Sequence, residues 1–480
     1  MKISRRGLSG NLYVTTIALE SLGNRAYIVE NSNKAVLIDP PLASWAIENY
    51  LKQTGLKVVA ILDTHIHNDF VSGSPGLSEK YSVPYFAPTF GERKVRGTEL
   101  VLEGESIDFD GFGVTPAHTP GHTLDHHSYL LSSESNSKAA LFSGGSWLQG
   151  SLGRVDLDQS ASPEELARLQ VMSLEKMLGM VQDDTLLMPT HGFGSYCSYG
   201  SVTIEGDTVA DDKARNPYFH STDAEKLLLS NPLPVPPHFR RMASINIEAD
   251  RRNEITDFDS YFSSHISEDL SSAVDARSRR SRLRHGNLGL SVLGIDGPFP
   301  VWFGWLDSIV GSEGFVVDNQ EEAELLTEGL VSIGESSPKR YIVLGDKTNE
   351  VLRPVAYREQ DASSIELAGL HDHLLIDLRH RGEWLLGHLV GSRNMPFEDY
   401  SHIPEELNYK NIAVYCGSGY RASMFLSSAT AFICDRVSIN GSTQKHFSQT
   451  ADWCRIPHEG SVCDSESLHL ASSASPETFS

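Results

Sequence analysis

Cysteine is scarce: Cys197, Cys416, Cys434, Cys454 and Cys463 are the only five in 480 residues. Their odd number and irregular spacing exclude a disulfide framework or a zinc ribbon and fit a reducing compartment, so the expected location is cytoplasmic. Positive charge is also short, with 40 Lys and Arg against 63 Asp and Glu and a net charge of −23. A chain this acidic repels nucleic acid and anionic membrane at long range, so the expected partners are small molecules, with no nucleic acid and no membrane. No apolar run approaches the roughly 20 residues that span a bilayer. Arg5 and Arg6 have the look of a twin-arginine signal, but Asn11, Thr15, Thr16 and Glu20 follow where an apolar core would be needed.

The length exceeds what one hydrophobic core supports, so several domains are expected. Strand-like and helical runs alternate to about residue 230, and Asn231-Pro-Leu-Pro-Val-Pro-Pro237 then breaks every pattern. A second break falls between Arg353-Pro354 and Ser363-Ser364. These breaks predict domains at 1–232, 240–352 and 360–460, with a serine-rich tail at 461–480 read as disordered. Ser162-Pro-Glu-Glu165 is a capping box opening a helix, and Leu166, Leu169, Met172, Leu178 and Val181 are read as its core stripe. The basic run from Arg277 to Arg284 is read as a solvated face.

The clearest chemical signal lies near the C-terminal end. The strand-like Ile412-Ala-Val-Tyr415 runs into Cys416-Gly417-Ser418-Gly419-Tyr420-Arg421. The glycines free backbone N–H groups to turn inward, a helix start adds its positive end, and Arg421 closes the loop, so the segment suits a sulfur anion. Cys416 is therefore the candidate nucleophile, with Gly417, Ser418, Gly419 and Tyr420 as its substrate-binding loop. With Asp377-Leu-Arg379, Glu383 and Gly387-His388 upstream, this segment resembles the rhodanese family over about a hundred residues. The resemblance implies that Cys416 carries sulfane sulfur, and the loop length is that of the sulfurtransferases, one residue shorter than in the phosphatase relatives. Between the two breaks, Val274-Asp275-Ala-Arg277 parallels Asp377-Leu-Arg379, yet Asp318-Asn319 stands where a cysteine would, so this stretch resembles a decayed rhodanese copy.

A second cluster lies upstream. The apolar Val58-Val-Ala-Ile-Leu62 leads into Asp63-Thr-His65-Ile-His67-Asn-Asp69-Phe70, and a His-x-His leaving a strand projects both imidazoles to one side. Downstream stand His118-Thr-Pro-Gly121-His122, Ser143-Gly144-Gly145, Gly153-Arg154-Val-Asp156 and Thr190-His191-Gly192. This series resembles the metallo-β-lactamase superfamily, in its glyoxalase II and persulfide dioxygenase branch, across most of residues 10 to 200. The resemblance implies an α/β fold, an αββα sandwich with a metal at one edge, followed by two α/β rhodanese domains. The metal ligands it implies are His65, His67 and His122, with Asp69 and His191 as further candidates. Two positions depart from the family: Phe70 replaces the last histidine of the first motif and Gly145 the bridging aspartate, so His191 is expected to hold little metal and Gly145→Asp to restore a ligand. His118 is read as a supporting residue, Asp69 as orienting His67 or His122, surface placement suits His126 and His127 equally well, and Arg154 with Asp156 forms a salt-linked turn.

The domain order resembles fused persulfide dioxygenase and sulfurtransferase proteins. It implies Fe(II) in the first domain, with Zn(II) as the alternative, and a persulfide, thiosulfate or thiol as small-molecule substrate; a homo-oligomer is compatible with the sequence. Two rival readings remain: a mononuclear zinc metallohydrolase joined to a sulfurtransferase, and a sulfur carrier or sensor whose first domain is a metal-free scaffold.

Overall fold

The computed structural model describes residues 1–88, 98–99, 101–133, 138–192, 197, 208–230, 234–248, 273–286, 288, 290–310, 314–335, 340–344, 357–385, 387–399, 403–404, 407, 410–427, 435–441, 443–448 and 453–454. The serine-rich tail, Cys434 and Cys463 lie outside them. The chain divides into two compact units, one of residues 1–266, 298–305 and 321–338, the other of residues 267–297, 306–320 and 339–480.

In the first unit, β1 (Lys2–Ser9), β2 (Leu12–Leu19), β3 (Asn24–Asn31), β4 (Lys34–Ile38), β5 (Lys57–Leu62) and β6 (Tyr85–Phe86) form one sheet in sequence order. The first four are antiparallel; β4, β5 and β6 run parallel. A second sheet takes the order β13 (Leu186–Pro189), β10 (Ala140–Gly144), β9 (His127–Ser133), β8 (Phe112–His118), β7 (Ile107–Asp108), and a short hairpin, β11 (Trp147–Leu148) with β12 (Ser151–Leu152), follows β10. Because side chains alternate along a strand, each sheet has two apolar faces to bury. Val14, Tyr27, Val29, Val36, Ile38 and Leu62 meet Val114, Tyr129, Leu131, Phe142 and Met188 between the sheets. Ile28, Leu37 and Ile61 face outward beneath helix α1 (Trp45–Thr54), which supplies Ile47 and Leu51. Leu141 and Leu187 pack against α3 (Pro163–Met180), which follows α2 (Ser74–Tyr81). The result is an αββα sandwich. Each fully buried aliphatic side chain in these layers contributes about 1.5–3 kcal/mol.

Ser162 caps α3 as its sequence predicts, accepting from the Glu165 N–H at 3.1 Å. The stripe below it differs from the expected one. Met172 is 54% exposed, and the buried face is Leu166, Gln170, Ser173, Leu174 and Met177. These positions keep the three- and four-residue spacing of one helix face, whereas Met172 lies off it.

Beyond the proline-rich stretch, the chain returns to this unit. The helix Phe239–Glu248 places Asn246 where its Nδ2 donates to the carbonyls of His67 (2.8 Å) and Phe70 (2.9 Å) while its Oδ1 accepts from the Ser72 N–H (2.9 Å). Those bonds fix the histidine-bearing loop after β5.

In the second unit, strands Arg358–Asp361, Arg436–Asn440, Ile412–Tyr415, Leu374–Asp377 and Arg393–Asn394 form a parallel sheet in that order. A three-stranded parallel sheet of Ala273–Asp275, Gly314–Val317 and Arg340–Val343 accompanies it. Asp377 and Arg379 form a buried ion pair (2.7 Å), with Arg379 also donating to Gly387 O (2.6 Å). Asp275, Arg277 and Gly286 repeat that arrangement at 2.7 and 3.0 Å. The basic run is a solvated face only in part: Arg280 and Arg284 are exposed, but Arg277 and Arg282 are buried, and Arg282 pairs with Glu359 at 3.2 Å. Burying a guanidinium is costly unless a carboxylate accompanies it, and here one does in each case. Among the described residues, no helix is long and apolar enough to cross a membrane.

Candidate metal centre and thiol site

Loops leaving the ends of β5, β8, β10 and β13 converge at one edge of the sandwich and carry His65 and His67, His122, Gly145 and His191. All four histidines are buried to within 1% of full. His65 stands at the middle, with ring centroids 4.3 Å from His67, 5.0 Å from His122 and 5.1 Å from His191. His191, expected to hold little metal, lies inside the cluster. Ring nitrogens of His65, His67 and His191 fall within 4.8 Å of one another.

Hydrogen bonds to the far side of each ring set its tautomer. Thr64 Oγ1 gives its proton to Asp39 Oδ2 (2.8 Å), so His65 Nδ1, 2.9 Å from that hydroxyl, must be the donor and Nε2 keeps the lone pair. His191 Nδ1 faces Asn24 Oδ1 at 3.0 Å and Asp69 Oδ2 at 3.2 Å, both acceptors, which leaves its Nε2 unprotonated as well. His122 Nδ1 donates to Arg154 O (2.8 Å), and His67 Nε2 donates to Asp39 Oδ1 (3.2 Å). The consequence is four lone pairs aimed inward. His65 Nε2 and His191 Nε2 sit only 3.1 Å apart, and His122 Nε2 and His67 Nδ1 have no hydrogen-bond partner among the described residues. Facing lone pairs repel unless a cation lies between them, and two nitrogens on one tetrahedral zinc are about 3.4 Å apart. The donor set fits a metal ion held by His65, His67 and His191, with His122 adjacent.

Electrostatics agree with that role. Burial, and then the neighbouring imidazoles, push His65 well below its ordinary range, and burial with the nearby His191 takes His122 to about 3. Both stay neutral, the form that ligates. His67 differs: burial opposes its charged form, but Asp39, Asp63 and Asp69 together raise it, so a metal there competes with a proton. Asp69 lies against His191, its Oδ2 3.2 Å from Nδ1, and accepts from Asn24 Nδ2 at 2.8 Å; burial opposes its ionisation, but His191, His67 and Asn24 together hold the carboxyl well below its usual range.

The departures of the sequence now have a physical form. Phe70 stacks on His67 with centroids 4.1 Å apart. At Gly145, a β-carbon would come within 2.3 Å of His122 Cδ2, so the imidazole occupies the space a side chain there would need. Gly145→Asp is therefore expected to cost about 2 kcal/mol through overpacking and to weaken metal binding by displacing His122, contrary to the ligand restoration the resemblance implies. Thermal melts and a metal titration of the variant check this. His126 and His127 are buried, not surface residues. His126 Nε2 accepts the Gly145 N–H (3.0 Å) and its Nδ1 meets Thr119 Oγ1 (2.8 Å), which pins the strand end beneath the cluster and leaves no nitrogen for a metal. His118 lies outside the cluster, its Nε2 on Leu124 O at 2.9 Å. Arg154 and Asp156 form the expected turn, with bonds of 2.6 and 2.7 Å.

Acid should destabilise the metal-free protein. A histidine held at about 3 when folded and near 6.5 when unfolded binds its proton in the unfolded state first, so stability is present above pH 6.5 and is lost on acidification toward 3. For His122 alone the loss between pH 6.5 and 5 is about 2 kcal/mol, or about 5 °C in Tm. His65 and His126 act in the same direction and the raised His67 against it. Scanning calorimetry of metal-free protein at the two pH values measures the balance.

A cleft of about 220 Å³ is lined by Ile66, Asn68, Thr123, Asp158, Phe239 and Ala243, and none of the four histidines lines it. It is large enough for part of a small thiol.

In the second unit, Cys416 follows the central strand Ile412–Tyr415 and precedes the helix Tyr420–Ser427. Its Sγ is buried and accepts the Gly419 N–H at 3.1 Å; Gly419, at φ +88°, is in a conformation glycine alone adopts freely. Arg279 donates to Ser418 O, and Tyr420 OH donates to Gly294 O at 2.6 Å, so the segment with the repeated Asp–Arg pair braces the loop. Arg421 reaches Glu383 at 3.1 and 3.2 Å and comes within 4.0 Å of Glu398. Its charge, against the effect of burial, keeps Glu383 low. Arg421→Ala is expected to cut sulfurtransferase kcat/KM about tenfold, because a charge-assisted contact of about 1.5 kcal/mol is lost, and Arg421→Lys should recover most of it. Steady-state kinetics of the pair distinguish charge from packing.

A model described as the metallo-beta-lactamase superfamily matches residues 22–157, and one described as the rhodanese-like domain matches residues 363–441. A hydroxyacylglutathione hydrolase of Francisella philomiragia is 32% identical over 28% of this chain, which spans about half (52%) of that relative's length. Another so named, from Rhodopseudomonas palustris, is 34% identical over 39% of this chain and 69% of its own length. The solved metallo-beta-lactamase of Staphylococcus aureus shares the fold at TM-score 0.58, with 22% identity, over 70% of this chain and 99% of that one.

Proposed function

Since the chain belongs to the metallo-β-lactamase superfamily and carries a rhodanese-like domain near its C-terminal end, we propose that it oxidises a low-molecular-weight persulfide in the first unit and moves sulfane sulfur through Cys416 in the second. The observation that carries the reading is the inward aim of four tautomer-fixed imidazoles. Bound Fe(II) would supply redox chemistry and open positions for a sulfur substrate and O2. The residues of the chain do the rest: Asp39 and Asn24 orient His67 and His191, and Phe70 keeps one wall apolar.

At Cys416, the thiolate attacks the outer sulfur of thiosulfate. The S–S bond breaks, sulfite leaves with the electron pair, and a cysteine persulfide forms. A second thiolate then takes the outer sulfur and returns Cys416 to thiolate. The Gly419 N–H stabilises the anionic sulfur at each stage. The segment holding Arg279 and Gly294 acts as a decayed rhodanese copy that braces this loop.

Zinc-dependent hydrolysis of a glutathione thioester is the second reading, favoured by the names of the curated relatives. Elemental analysis of protein purified without added metal separates the readings. Iron supports the first and zinc the second, whereas absence of metal would leave sulfur transfer alone.

A further inference from the structure

Cys197 lies in the first unit, remote in sequence from the thiol chemistry of Cys416. It is fully buried, and its Sγ lies with one ring nitrogen each of His122 and His191 in a set whose members are all within 4.8 Å of one another.

The backbone of one residue, Arg154, links Cys197 and His122. The Arg154 N–H donates to Cys197 O at 3.1 Å, and Arg154 O accepts from His122 Nδ1 at 2.8 Å. The same backbone therefore seats Cys197 and turns His122 Nε2 inward. That Nε2 is the independent sign of a ligand: it belongs to a fully buried ring, carries the lone pair, and has no hydrogen-bond partner among the described residues. Gly153, immediately before, has no room for a side chain, since a β-carbon would fall 1.8 Å from Gly145 O and 2.9 Å from His122 Nδ1. The backbone there is compressed against the cluster.

We propose that Cys197 is a metal ligand, supplying through its thiolate, with His122 and His191, the donor set of a position for a thiophilic divalent cation at this edge of the cluster. The inference rests on the metal reading of the histidines and deepens it. Binding releases the thiol proton to solvent, and the sulfur lone pair forms the bond. His191 offers one inward nitrogen, so an ion on this side and one among His65, His67 and His191 compete for it. A soft thiolate biases that competition toward Zn(II) or Co(II) on the Cys197 side.

The test uses the full chain with Cys416→Ser, so that the thiol of the second unit's glycine loop cannot contribute. Cobalt loading should give visible ligand-field bands together with a near-ultraviolet thiolate-to-metal charge-transfer band. Adding Cys197→Ala should abolish the charge-transfer band, retain ligand-field bands, and lower Zn(II) affinity at least tenfold by chelator competition. X-ray absorption of the zinc-loaded Cys416→Ser protein needs no change at Cys197 and should show one sulfur scatterer at about 2.3 Å. Metal bound without a sulfur scatterer overturns the assignment of Cys197 and leaves the histidine site standing. No metal bound at all overturns both.

Discussion

Cys416→Ser is expected to lower thiosulfate-to-cyanide sulfurtransferase activity by more than about a thousandfold while leaving the melting temperature within a few degrees. Serine keeps the volume under the Gly419 N–H but cannot accept a sulfur atom, so the covalent route is lost and not merely slowed. Cys197→Ser, Cys434→Ser and Cys454→Ser should each retain most of this activity. Cys197→Ser is the informative control, because it should disturb metal binding in the first unit without touching sulfur transfer in the second. A comparable loss of transferase activity in any control would place the nucleophile elsewhere.

His65→Ala is expected to reduce metal affinity by more than about a hundredfold, a larger effect than the 10- to 100-fold typical of residues that only support a ligand. His65 touches His67, His122, His126 and His191, and its Nε2 is one of the two facing lone pairs. His191→Ala should lose nearly as much, since its Nε2 is the other. His118→Ala should lose little, because that ring bonds Leu124 O outside the cluster. Metal titrations of the three variants rank them. Retention of metal by His65→Ala would show that the centre is not where the tautomers place it.

The two chemical signals were legible in the sequence for a local reason. His65 and His67 share one loop, the Cys416 loop is six contiguous residues, and each motif sits between an apolar strand pattern and a helix or turn. Such spacing survives without tertiary information. What decided the tautomers was not legible: Asn24, Asp39 and the Arg154 carbonyl lie far from their histidines along the chain, and only the sandwich brings them together. The same holds for Cys197, whose sequence neighbourhood carries no ligand spacing. Residue type alone misled at Met172, where an apolar side chain at a plausible period faces solvent, and at Arg282, where a basic run conceals a buried partner, Glu359, 77 residues away. Gly145 shows the limit of reading by resemblance. The missing carboxylate was visible, but not that His122 fills its place.

The central claim is that the first unit oxidises a persulfide at the histidine cluster, and an oxygen electrode tests it most directly. Iron-loaded full-length protein given glutathione persulfide should consume O2 and release sulfite, at rates that vanish in His65→Ala and persist in Cys416→Ser. Folded, iron-loaded protein that takes up no O2 with a persulfide would contradict the account.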